Sequence, residues 1–369
     1  MTKKFNLILL LILCACTLFP DISAQELHES TSAKEVEPEE LNIKELILEH
    51  LADTYEWHLF TWNEQSITIP LPIIVYSKTS GWSVFSSSRL EHERSLYNHF
   101  YIATKGEYEG KVVERNALDE AVRPLDLSLT KNAASLLLSS LLLCMIILNV
   151  SRAYKKDSLE AEKGFTGAME VIIASITNEV IKPSIGKEYK KYAPYILTLF
   201  FFILFNNLLG LVPLFPGGAN VTGNISVTLV LAVFTFLVVN LTGSKTYYKD
   251  LFWPDVPVWL KAPFPLMQII ELVGTITKPF ALMIRLFANI TAGHSIVLGL
   301  TTVVFVTVSL GPAINGSMSF ISVLFNIFII FLEILVAFIQ AYIFTVLTSV
   351  FVGMARDPEV VEKVKVKSN

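Results

Sequence analysis

Residues 286–355 read LFANITAGHSIVLGLTTVVFVTVSLGPAINGSMSFISVLFNIFIIFLEILVAFIQAYIFTVLTSVFVGMA, with one carboxylate (Glu333), one histidine (His294) and no lysine or arginine. A run this long and this apolar suits a hydrocarbon solvent and exceeds any buried core helix. Tyr195 to Ser244 is likewise free of charge. Of the 369 residues, 53% are hydrophobic and only 17% charged, with a mean hydropathy of +0.55; soluble domains are about a quarter charged. A soluble enzyme is excluded, and a net charge of −4 excludes a nucleic-acid binder, which needs a cationic surface. The chain is an integral membrane protein.

Lysine and arginine orient the spans, because they collect on the cytoplasmic side. A first span, Asn132 to Val150, runs into Arg152, Lys155 and Lys156. Residues 158 to 192, with Lys182, Lys187, Lys190 and Lys191, read as an interfacial helix on that same side. A second span, Tyr195 to Val212, runs outward to the uncharged Pro213-Leu214-Phe215-Pro216-Gly217-Gly218, and a third, Ser226 to Leu241, returns to Lys245 and Lys249. The connection Trp253 to Trp259 carries interfacial aromatics. Apolar stretches from Leu266 to Leu310 and from Phe320 to Met354 come next, broken at Gly311-Pro312, before a basic tail with Lys363, Lys365 and Lys367. The reading predicts an all-α polytopic membrane protein of about five membrane helices plus an interfacial helix, with an outside start and an inside end. The stretch 266 to 310 is more than twice the ~20 residues of a perpendicular span. It is either one strongly tilted helix or one kinked at Pro279, and the last two spans form a long tilted hairpin.

The N-terminus has a different character. Lys3 and Lys4, the apolar Phe5 to Phe19 and the small Ser23-Ala24 are arranged in the order of a signal peptide over 1–24. An uncleaved helix is one alternative, and lipidation at Leu13-Cys14-Ala15-Cys16 is another; all three export the segment after residue 24. Residues 25–130 are expected to form a small mixed α/β exported (periplasmic) domain, ahead of a membrane domain over 131–356 and a cytoplasmic tail over 357–369. Its acidic start (Glu26, Glu29, Glu35, Glu37, Glu39, Glu40) reads as a flexible lead-in. Glu45 to Phe60 has helical spacing, and residues 66–69, 73–76 and 82–85 are β-type runs between Pro70, Pro72 and Gly81. His28, His50, His58, His92 and His99 lack metal-ligand spacing, and Cys14, Cys16 and Cys144 form no metal or disulfide pattern. No cofactor or metal site is expected.

Against this background the last hairpin carries Glu271, Lys278, Arg285, Asn289, His294, Glu333 and Gln340. An arginine at the centre of a membrane helix costs at least about 2.5–3.5 kcal/mol, which demands a function or a partner. Lys278 can snorkel to the headgroups, and Glu271 can be interfacial. Arg285 is too deep for either. Glu271, Lys278 and Arg285 are spaced by seven, so they form one stripe roughly 21 Å long, and Asn289 lies one turn beyond on the same side. His294 and Glu333 stand at comparable depths, about 20 residues either side of the turn, and Gln340 is seven residues past Glu333. A His–Glu pair with a neighbouring amide can relay protons. The polar groups therefore split into outward and inward sets with Arg285 between them. A continuous wire would leak, and a permanently protonated arginine blocks one.

The stretch Lys278-Pro279-Phe280-Ala281-Leu282-Met283-Ile284-Arg285-Leu286-Phe287-Ala288-Asn289-Ile290-Thr291-Ala292-Gly293-His294 closely resembles the signature of subunit a of the F-type ATP synthase. Ile339 to Leu347 resembles that family's last-helix signature, and Asn207 to Pro213 the end of an earlier helix. The resemblance spans about residues 130 to 356 and leaves the exported domain unexplained. It implies that Arg285 is the arginine essential for proton transport, facing a rotating ring of c subunits. It also implies that the family's glutamate after Ala-Gly is replaced by His294 and its histidine by Glu333, an exchange of the same two groups between helices. Glu271 matches the carboxylate on the cytoplasmic side. By that resemblance protons pass from outside by His294, Glu333, Asn289 and Gln340 to a ring carboxylate. The neutral carboxylate crosses lipid, then meets Arg285, whose charge favours the ionised form and expels the proton toward Glu271. Expected partners are the c-ring, the b subunits of the peripheral stalk, the soluble ATPase sector through that stalk, and the bilayer of a bacterial inner membrane. The chain lacks a Gly-x-x-x-x-Gly-Lys-Ser/Thr loop, so ATP chemistry falls to partner subunits. A stand-alone transporter with Arg285 as an anion site would show paired repeats, and a membrane-anchored binding module would not need these charges in one hairpin.

Overall fold

The computed structural model describes residues 52–62, 65–90, 97–103, 108–115, 121–156, 164–212, 215, 217–253 and 266–356. The expected signal segment, the acidic lead-in, most of the Trp253–Trp259 connection and the basic tail lie outside the described residues.

Eight short strands come first: β1 (Glu56–Trp62), β2 (Gln65–Pro70), β3 (Pro72–Ser77), β4 (Gly81–Ser86), β5 (Phe100–Ile102), β6 (Val112–Arg115), β7 (Ala121–Val122) and β8 (Leu125–Asp126). They make three antiparallel sheets ordered β1-β2, β4-β3-β8 and β5-β6-β7. The three predicted β runs fall within β2, β3 and β4. The helical spacing of Glu45 to Phe60 misleads where the chain is described, because Glu56 onward is β1, with Trp57 opposite Ile69 of β2. Aromatic and β-branched side chains favour the pleated partner surface, and pairing overrides a local 3.6-residue pattern. In β3 the alternation buries Ile73 and Val75, which join Phe85, Phe100 and Val112 in a small core. Tyr55 sits in that core and donates its hydroxyl to Asp126. Burial first, and then the Asp126 carboxylate, raise the Tyr55 hydroxyl above its ordinary pKa.

The helical part consists of α1 (Lys131–Lys156), α2 (Phe165–Ser175), α3 (Lys182–Ile185), α4 (Tyr189–Leu211), α5 (Ile225–Leu241), α6 (Lys245–Phe252), α7 (Leu266–Val306) and α8 (Pro312–Arg356). Among the described residues, four stretches are long and apolar enough to cross a membrane: 131–154, 165–211, 267–310 and 312–356. The pair α5 and α6, bent by 104°, is long and apolar enough only when taken together, and counted as one span it brings the number to five. The expected interfacial stretch 158–192 is a bent helical run that starts at Phe165, passes through a π-helical turn at Ile176–Ile181 and breaks at Gly186. Gly186 has φ +75°, which suits a residue without Cβ.

Residues 266–306 form one helix, α7, which continues through Pro279 without a break. At 1.5 Å per residue α7 and α8 are each longer than about 60 Å, twice the ~30 Å of bilayer hydrocarbon. They fit only by slanting steeply or projecting beyond it. The chain reverses at Gly311, φ +100°. The C-terminal half of α8 buries mostly small residues (Ala337, Ala341, Thr345, Thr348, Ser349, Gly353), the type that lets membrane helices approach closely. At Gly353 a Cβ would lie 2.0 Å from the Ser184 carbonyl. Arg356 pairs with Glu188 and donates to the Thr242 carbonyl, tying the end of α8 to its neighbours.

Candidate functional site

The hairpin side chains meet α4 around a cavity of about 290 Å³, lined by Asn207, Leu211, Asn289, Gly293, His294, Glu333, Ala337 and Gln340, among others. It has room and polar partners for several water molecules. Four of the predicted residues, Asn289, His294, Glu333 and Gln340, therefore share one wall. Gly293 makes the approach possible, and Gly210 marks a second contact. A Cβ at Gly293 would sit 2.3 Å from Glu333 Oε1, so the carboxylate rests on the bare backbone of α7. A Cβ at Gly210 would sit 3.5 Å from His294 Nε2, so the imidazole lies against the last turn of α4.

Sequence reasoning gave no role to Asn207, yet it is 2% exposed and closes the cavity. Its Oδ1 accepts from Thr222 Oγ1 at 2.6 Å, and its Nδ2 donates to the Ala337 carbonyl of α8 at 3.4 Å. The adjacent Asn206 accepts from Ser139 of α1 at 2.8 Å. Successive residues on α4 thus bind the helices on either side. The available signal was the Asn206-Asn207 pair inside an uncharged run, where a polar side chain is costly unless it is hydrogen-bonded.

Arg285 does not line this cavity. Leu282, Met283 and Leu286 are buried, whereas Ala281, Ile284, Arg285, Ala288 and Asn289 are exposed on α7, Asn289 also reaching the cavity lining. The Arg285 guanidinium makes no hydrogen bond or ion pair with any described residue. A charge left on such a surface calls for a counter-charge from outside the chain. On α8, Leu335, Phe338 and Tyr342 are exposed as well.

Glu271 also lies away from the large cavity, near the start of α7 and half-buried. Near it is a much smaller cavity of about 30 Å³, lined by Asn240, Tyr247, Thr275, Lys278, Pro279 and Phe351, among others. Tyr247 donates to Asn240 Oδ1 at 3.1 Å, and Lys278 Nζ lies 5.8 Å from the centre of the Phe351 ring. Pro279 has no N–H, which leaves the Thr275 carbonyl without its helical donor. The polar groups of the smaller cavity are thus separated from those of the large cavity by the Arg285 turn of α7. No group of three or more His, Cys, Asp or Glu able to hold a metal occurs among the described residues.

Residues 134–353 match the family model described as ATP synthase A chain, and residues 46–131 match a domain of unknown function. The chain is 43% identical over 244 residues to "ATP synthase subunit a 2" of Chlorobaculum tepidum, covering 63% of this chain and 65% of the relative. It is 43% identical over 240 residues to "ATP synthase subunit a 2" of Prosthecochloris aestuarii, covering 62% and 69%. It is 39% identical over 238 residues to "ATP synthase subunit a" of Myxococcus xanthus, covering 63% and 74%. The match thus spans about two thirds of these relatives' length. With a family match running from α1 into the last turn of α8, the chain belongs to the ATP synthase A chain family.

Proposed function

We propose that this chain is the proton-conducting stator subunit of an F-type ATP synthase, with two offset half-paths that load and unload carboxylates on a rotating ring. The observation that carries the reading is the division along α7. Asn289 and His294 join Glu333 and Gln340 in one cavity with room for several waters, whereas Arg285 lies outside it on an exposed face of the same helix.

The chemistry comes from that division. A proton from the outer side passes through the water-filled cavity by way of His294 and Glu333, whose nitrogen and oxygen atoms alternately accept and donate. Asn289 and Gln340 orient the water with amide groups that never ionise. The proton neutralises a ring carboxylate, which can then travel through lipid without the cost of a buried charge. When the carboxylate arrives at Arg285 from the other direction, the guanidinium pairs with its ionised form and the proton leaves toward Glu271. Arg285 keeps its own proton throughout, so the two half-paths never join. Each elementary charge crossing gains about 2.3 kcal/mol per 100 mV. The reading places residues 25–130 and the turn at Gly311 outside and the basic tail inside, in a bacterial inner membrane. Nucleotide chemistry belongs to the soluble sector, reached through peripheral-stalk b subunits.

The test is purification of the tagged chain from its membranes, and then ATP-driven acidification of inverted vesicles. Co-isolation of a c-ring and ATPase subunits, with acidification abolished by Glu333→Gln, is expected. A solitary oligomer without ATP-dependent pumping would refute the reading.

A further inference from the structure

The domain ahead of α1 contributes no residue to the lining of the large cavity, yet it packs on the loop between α4 and α5, whose Thr222 bonds the cavity-lining Asn207. Trp57 of β1 is 4% exposed, buried on Ala219 and Val221 of the loop between α4 and α5, with its ring 5.0 Å from that of Phe215 in an edge-on contact. The segment leading into β1 is fixed as well. Asp53 Oδ1 accepts from the Asn132 backbone N–H at 3.0 Å, and the Thr54 carbonyl accepts from the Lys131 N–H at 2.8 Å, both at the start of α1.

The loop under Trp57 is folded back on the last turn of α4. The Gly218 N–H donates to the Leu209 carbonyl at 3.3 Å. At Gly217 a Cβ would come within 2.3 Å of the Val212 carbonyl, so only glycine permits the approach. The loop does not line the cavity but touches α4 beside it at two points. Thr222 holds Asn207, which lines the cavity. The Ala219 carbonyl lies 3.5 Å from where a Gly210 Cβ would be, the same distance as His294 Nε2 on that surface.

We propose that the β domain is the fixed roof of the outer water path, and that Trp57 is the positioning residue through which it sets the cavity wall. Trp57 presses the loop onto α4, the loop orients Asn207 through Thr222, and Asn207 spaces α4 from α8 beside Glu333. The titratable groups lining the cavity are His294 of α7 and Glu333 of α8; α4 contributes Asn207 and Leu211. A displaced roof therefore changes how outer water reaches those two groups and leaves Arg285 and the inner side alone. The inference rests on the proposed proton path.

The test uses the whole complex in inverted vesicles, where the outer side faces the lumen. Trp57→Ala, Trp57→Phe, Thr222→Val and Glu333→Gln are compared for assembly, ATP-driven acidification and dependence of the rate on luminal pH. Trp57→Ala is expected to assemble, to pump several-fold more slowly and to shift the luminal pH profile, while Trp57→Phe restores most of the rate. Thr222→Val keeps the apolar packing, removes the link to Asn207 and should shift the profile in the same direction. If Trp57→Ala fails to assemble, that Thr222→Val profile decides. Wild-type rates and profiles in assembled Trp57→Ala or Thr222→Val, with Glu333→Gln inactive, would overturn the roof and spare the path. Normal pumping by Glu333→Gln would overturn the path itself.

Discussion

Gly293→Ala separates a transport role for Glu333 from a packing role. The new methyl would lie 2.3 Å from Glu333 Oε1 and 3.1 Å from its Cδ. Ordinary contact begins near 3.4 Å, so the carboxylate must retreat by about 1 Å. The obstructed atom is the end of a flexible side chain, and moving it off its rotamer costs about 0.5–1.5 kcal/mol. Alanine offsets that by about 0.8–1 kcal/mol, its advantage over glycine inside a helix. Net stability should therefore change by less than about 1 kcal/mol. A transferring group misplaced by about 1 Å can cost on the order of 100-fold in rate. The expected result is an assembled complex of normal thermal stability whose ATP-driven acidification, monitored with a pH-sensitive dye, falls by roughly 10- to 100-fold. Shortening the acid in Gly293→Ala with Glu333→Asp should recover part of the rate. Wild-type pumping by Gly293→Ala would refute the claim that the carboxylate must sit against α7.

Other substitutions test separate parts of the structure. Asn207→Ala leaves the buried Thr222 hydroxyl without its acceptor and should lower stability by about 1–3 kcal/mol, read as a lower unfolding temperature of the purified complex. Gly353→Ala drives a methyl into the Ser184 backbone, which cannot swing aside as a side chain can; a loss of about 1–3 kcal/mol or failed assembly is expected on a thermal melt. Tyr55 supplies a pH test. Its folded pKa is raised above the ordinary value of 10.0, so its stabilisation is complete below that pH and fades as pH rises above it. The stability gap between wild type and Tyr55→Phe should narrow above about pH 10, and a gap that widens there would contradict the assignment.

The fold was legible where the solvent dictates the sequence. Charge-free runs and the lysines at their ends marked the five spans, because lipid tolerates few exceptions to either rule. The hairpin turn was legible because Gly311-Pro312 is the strongest break in a long apolar stretch. Glu56 to Phe60 was misread because helical spacing is a local property, whereas the strand is made by its pairing with β2, beyond the reach of any local window. The common depth of His294 and Glu333 could be counted from the turn. The cavity wall could not, since Gly210, Gly293 and Asn207 owe their parts to how closely α4, α7 and α8 approach. The placement of Arg285 outside the cavity was hidden for the same reason. Spacing puts it on one side with Asn289, and only the packing of Leu282, Met283 and Leu286 shows which way that turn of α7 faces.

The most direct test of the central claim is ATP-driven acidification by the assembled complex carrying Arg285→Ala. With Arg285 as the barrier between two half-paths, the variant should co-purify with its ring and ATPase sector yet pump no protons. Arg285→Lys should recover little, since a point charge does not reproduce the planar guanidinium. Wild-type acidification by an assembled Arg285→Ala complex would contradict the account and leave the arginine as a structural charge on the face of α7.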